Sequence, residues 1–135
     1  MLASALEGIR LSLHVLAAAI WVGGQLTLGS LVPSLRASGG ERVTSAAAKA
    51  FARLAWPAYA VLIITGLWNY AVVDMNTVNT AWKIVVGIKI FVALFAGLAA
   101  YLHQRAKTKG QIATWGGLAG LSSVAALVLG VFLAG

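Results

Sequence analysis

Cysteine is absent from this 135-residue chain. That excludes disulfides, thiolate metal sites and covalently attached c-type haem, so any metal must be held by His, Met, carboxylates or amides. Acidic residues are nearly as scarce, three against ten Lys and Arg. Neither a catalytic carboxylate pair nor a nucleophile constellation is evident, and whether the chain is an enzyme stays open. Only two prolines and two histidines occur. Each therefore carries positional meaning.

What the chain has in abundance is apolar length. With 61% hydrophobic and 10% charged residues and a mean hydropathy of +0.92, it lies outside the range of soluble globular domains. Apolar runs of roughly the twenty residues needed to cross a bilayer cover about 11–32, 54–73, 82–102 and 112–133. Spanning segments of this kind must satisfy their backbone internally, so they read as helices. The expectation is an all-α integral-membrane four-helix bundle in a single domain, 1–135. The N-terminal run is too long for the apolar region of a signal peptide and lacks a small-residue cleavage site, so it is expected to be retained as a helix.

The net charge of +7 is a topology signal. Arg36, Arg42, Lys49 and Arg53 lie between the first two runs, and Arg105, Lys107 and Lys109 between the last two, whereas Glu7, Arg10, Asp74 and Lys83 mark the other side. The positive-inside rule places both basic loops in the cytoplasm of a bacterial-type plasma membrane, with N- and C-termini outside. This distribution argues against nucleic acid as a partner. The lipid bilayer is the expected one.

Pro33 is expected to end the first span and Ser38-Gly39-Gly40 to form a turn. The Ala-rich stretch Glu41 to Arg53 then reads as a short amphipathic cytoplasmic helix before the second span. Pro57 sits in the first turn of that span, or kinks a helix continuous from Thr44. Thr80 is the expected N-cap of the third helix. The Gly116-x-x-x-Gly120 spacing marks a packing face on the fourth.

His14 is the chemically conspicuous residue, an imidazole inside a run otherwise fit for lipid. Helical spacing puts it on one stripe with Ala18, Trp21, Gln25 and Leu28, while the third helix carries Trp82, Val86, Lys89, Ala93 and His103 on another. At about 1.5 Å per residue, His14, Lys89 and Asn69 fall at a similar depth. A cluster of these three with Trp21, Trp68 and Trp82 nearby is the candidate site. His103 lies about 20 Å further along than Lys89 and reads as an interface residue; the bland reading of His14 is an interhelical hydrogen bond to Asn69 or a backbone carbonyl.

Leu13-His14-x-x-Ala17-x-x-x-Trp21-x-x-Gly24 resembles the first-helix signature of the copper resistance D (CopD) membrane domain and of the related HemJ-type haem proteins. The likeness extends to Pro57 with Thr65-Gly66-Leu67, and to Trp82 ahead of Lys89. The chain departs from the haem-oxidase pattern in a longer Trp82-to-Lys89 spacing and in its fourth span, and from larger copper proteins in lacking a second block of helices and a Met-rich loop. The resemblance implies a membrane domain that handles a copper ion at the extracytoplasmic side, with His14 as the metal ligand, or one that binds haem b with His14 axial and Lys89 as its partner. Asn69 or Met75 would supply a further copper ligand. A third reading is an accessory subunit whose polar groups only fix packing, in a homodimer or larger membrane complex.

Overall fold

Ser4 begins the helical part of the chain. Its backbone is extended and its Oγ accepts the Glu7 amide hydrogen at 3.2 Å, the geometry of an N-cap. In the computed structural model, which describes residues 2–135, helix α1 then runs from Ala5 to Ala71, 67 residues. A straight helix of that length would reach about 100 Å. Only Gly40 leaves helical dihedrals, with φ 66° and ψ −162°, and there the chain reverses. The Nδ1 of His14 lies 2.8 Å from Thr65 Oγ1, and the Trp21 ring lies 4.5 Å from that of Tyr59. Residues 5–39 and 41–71 are therefore antiparallel limbs packed face to face.

Two local features make the reversal. Gly40 occupies a region of backbone space open essentially to glycine alone, and the Val43 side chain folds over Gly39 where a Cβ would stand. Arg36 and Glu41 pair across the turn at 2.9 Å, and Thr44 Oγ1 donates to the Gly40 carbonyl at 3.0 Å. Gly40→Ala should cost about 1–3 kcal/mol, seen as a lower midpoint in SDS unfolding of the purified protein. Gly29→Ala is the control, because nothing lies within 4 Å of a Cβ at Gly29.

The expected four-helix bundle is corrected by this architecture. The described residues form three helices and no strand: α1, reversed at Gly40, α2 (Thr80–Arg105) and α3 (Lys109–Ala134). Helix does not stop at Pro33, and no separate amphipathic helix precedes Pro57. The reason is that residues 41–53 are mostly good helix formers, so they extend the second limb instead of lying apart from it. Backbone stays helical through Pro57 as well.

The chain divides into two compact units, residues 1–73 and 74–135. In the second, Asn79 caps α2 one residue earlier than expected, its Oδ1 accepting the Trp82 amide hydrogen at 2.8 Å. Thr108 caps α3 in the same way through Gln111. The α2–α3 pair is tied at both ends: Trp82 Nε1 donates to the Leu133 carbonyl at 3.3 Å, and His103 Nδ1 meets the Ile112 carbonyl at 2.9 Å. His103 fits against α3 because Gly116 has no Cβ there, whereas Gly120 faces open space.

Burial is inverted relative to a water-soluble protein. The best-buried apolar residues are mainly alanines, including Ala17, Ala55, Ala58, Ala96, Ala99 and Ala119, while Phe91 is 71% and Phe132 76% exposed. Small residues let helix backbones approach, and large ones face outward, as in membrane packing. All three helices are long and apolar enough to cross a bilayer.

Candidate functional site

The first unit builds its polar site from one stripe on each limb. On the N-terminal limb the inward residues are Arg10, His14, Ala17 and Trp21; on the returning limb they are Trp56, Tyr59, Thr65 and Asn69. Gly24 opposite Phe51 and Gly66 opposite His14 let the limbs close, since a Cβ at Gly24 would stand 2.6 Å from the Phe51 ring.

Thr65 decides the chemistry of His14. The Thr65 side chain is 3% exposed, and its hydroxyl hydrogen goes back to its own helix, to the Val61 carbonyl at 2.6 Å, with Leu62 at 3.3 Å. A hydroxyl has one hydrogen to give. At 2.8 Å from His14 Nδ1 it is therefore placed to accept, with Nδ1 as the donor. A histidine that ligates a metal through one nitrogen is commonly oriented by just such a hydrogen bond from the other.

Beneath the histidine lies an aromatic floor. Trp21 is 3% exposed and touches Tyr59 at 4.5 Å and Trp56 at 5.3 Å between ring centroids, while Trp56 and Tyr59 meet edge-on at 5.7 Å. Trp21 is also the central residue of a π-helical turn, Ala19–Gly23. Such a turn inserts extra backbone into one helical circuit, which re-phases the residues beyond it, and it recurs at functional sites. Gln25 Nε2 donates to the Trp21 carbonyl at 2.9 Å, securing the widened turn from within the same limb. An apolar slot lined by Leu13, Leu16, Ala17, Ile20, Ala58 and Val61 runs along the seam between the limbs.

The sequence-derived site residues are divided between the units. His14, Trp21 and Asn69 belong to the first, and the hydrogen bond of His14 shown here goes to Thr65 rather than Asn69. The Asn69 Oδ1 is buried without a hydrogen-bond partner. Lys89 belongs to the second unit, where its ammonium lies over Gly130, 2.8 Å from where a Cβ would be. No group of three His, Asp or Glu comes together among the described residues.

Two residues escaped the sequence reading. Thr65 was legible only as part of a motif, although it stands four residues before Asn69 and so shares its stripe. Arg10 read as a topology charge, yet it stands four residues before His14 and is 8% exposed. Spacing alone held both signals.

Comparison with known proteins returned no match to a family model, a curated protein or a solved structure.

Proposed function

We propose that this chain is an integral plasma-membrane protein that takes up a copper ion at His14 on the extracytoplasmic side, its basic loops facing the cytoplasm. The observation that carries this reading is the Thr65-held imidazole: a buried hydroxyl committed to the Val61 carbonyl holds Nδ1 and orients the ring, as the partners of metal-ligating histidines do. Imidazole is a good copper donor. The Asn69 amide, one helical turn from Thr65, offers a neutral oxygen on the same stripe. So sparse a donor set suits a cargo ion, which must bind well enough to enter and weakly enough to leave. The first-helix likeness to copper resistance D domains supports the same direction.

Haem b is the second reading, favoured by one observation. A single imidazole suffices for an axial ligand, whereas a tight ion site wants more donors than this stripe supplies. In that case the iron would be held by His14 and the chain's contribution would be orientation of the ring nitrogen by Thr65.

One purified sample tests both. Copper binding by the wild-type protein should fall at least tenfold in His14→Ala, measured by metal analysis after equilibration with copper. A Soret band that disappears in His14→Ala moves the assignment to haem. If neither copper nor haem depends on His14, the proposal fails and the accessory-subunit reading takes its place.

A further inference from the structure

Arg10 is a buried residue whose guanidinium has no counter-ion among the described residues. It is 8% exposed, and the ion pair found among the described residues is Arg36–Glu41, far along the chain at the turn. No described residue hydrogen-bonds to it, yet its nitrogens are not sealed off as the Asn69 oxygen is. Arginine stays charged under all ordinary conditions and carries five N–H donors in a planar fork. Its open nitrogens are therefore available to a ligand, and covering them without a matching anion would be strongly unfavourable.

The register of the hairpin identifies what faces it. Gly24 meets Phe51, Trp21 meets Trp56 and Tyr59, and His14 meets Thr65. One turn further out on each limb stand Arg10 and Asn69, so the antiparallel pairing sets them at one level. Asn69 adds an amide NH2 to the donors there. Arg10 lies in the second turn of α1 and Asn69 two residues before its end at Ala71. That level is the mouth of the hairpin, where a spanning helix meets the headgroup layer.

We propose that Arg10 and Asn69 form a binding site for a single oxyanion carried by an amphiphile. A guanidinium fork matches the two oxygens of a phosphate or carboxylate, and the amide NH2 donates to one of them. Two molecules present this chemistry at that depth: an acidic phospholipid, through its headgroup phosphate, and haem, through a propionate. The carboxylate source rests on the haem reading of His14; the phosphate source is independent of it.

The test uses the full chain in lipid nanodiscs, as wild type, Arg10→Gln, Arg10→Lys and Asn69→Asp. The last is chosen because it sets a carboxylate opposite Arg10, filling the site from within while giving the buried cation a partner. One arm measures retention of phosphatidylglycerol over phosphatidylcholine by native mass spectrometry. The other titrates iron protoporphyrin IX and its dimethyl ester, which lacks free carboxylates, following the Soret band. A loss of at least tenfold in phosphatidylglycerol preference for Arg10→Gln and Asn69→Asp, with Arg10→Lys intermediate, assigns the phosphate source. A tenfold loss of preference for the free acid over the ester assigns the carboxylate source. Wild-type preference in both arms for Arg10→Gln and Asn69→Asp overturns the proposal. If the wild type binds neither porphyrin, the haem reading of His14 fails, and the lipid arm still decides the oxyanion site. Should Arg10→Gln lose its helical circular dichroism, Asn69→Asp, with its charges balanced, decides the matter by the same two preferences.

Discussion

Trp21→Ala is expected to destabilise the first unit by about 3 kcal/mol or more, the range for deleting a buried indole, and to be the most damaging single substitution in the hairpin. Trp21 is the largest of the buried side chains, at 3% exposure, and it sits between two rings of the opposite limb. In a bilayer the hydrophobic drive between helices is weak, because lipid tails are as apolar as the side chains, and packing contacts carry most of the association. Loss of the indole removes those contacts outright. It also removes two aromatic pairings of about 0.5–1.5 kcal/mol each beyond their area. The neighbours of Trp21 on its own limb, Ala17 and Val22, are too small to collapse into the space. The measurement is the SDS unfolding midpoint, followed by near-ultraviolet circular dichroism of the remaining aromatic residues. Trp21→Phe should recover most of the loss, since a phenyl ring still reaches Tyr59. An unchanged midpoint for Trp21→Ala would show that the aromatic floor is not what holds the limbs together.

On the proposed reading of His14 as a ligand, Thr65→Val is expected to weaken metal binding about 10- to 100-fold, the usual effect of removing the group that orients a ligating imidazole, with little change in helix content. Valine has the same branched shape, so Gly66 and the seam should close as before. What vanishes is the oxygen that accepts the Nδ1 hydrogen of His14. The ring then loses the contact that holds Nδ1 and is presented to the ion in a less defined orientation. Thr65→Ser keeps the hydroxyl and should restore most of the affinity. Copper or haem titration of the three proteins checks this. Equal affinity in Thr65→Val would mean that His14 is oriented by something else.

Much of this arrangement could be read from residue order. The apolar runs and the Ser38-Gly39-Gly40 turn were legible because length, hydropathy and glycine each have a direct physical meaning. Helix continuity was not. Pro33 looks like a terminator and Pro57 like a first-turn or kink residue, but a proline withdraws one hydrogen bond, and the rest of a long helix can absorb it when the flanking residues favour helix and the surroundings hold the limb in place. The Ala-rich stretch after Gly40 reads as a short amphipathic surface helix running into the second span, because its charges suggest a solvated face; in the fold it is the base of the second limb.

The site was half legible. His14 stood out as a titratable group among apolar ones. Its partner did not, because Thr65 is an ordinary residue for a membrane helix and no local pattern announces which hydroxyl will face an imidazole fifty-one positions away. That pairing is fixed by the phase of the hairpin, which depends on the exact place of the reversal and on the π-helical turn around Trp21. Neither is visible without coordinates.

The one-residue reversal at Gly40 also sets the order in which the hairpin can assemble. With almost no loop to close, the first contacts carry little entropic cost, and pairing can zip outward from the turn through Phe51 against Gly24 and then the aromatic floor. His14 and Thr65 join late, and the level of Arg10 and Asn69 last of all. Zippers fray in the reverse order. The level of Arg10, His14, Thr65 and Asn69 thus lies at the end of the first unit farthest from the reversal, with the aromatic floor between the two.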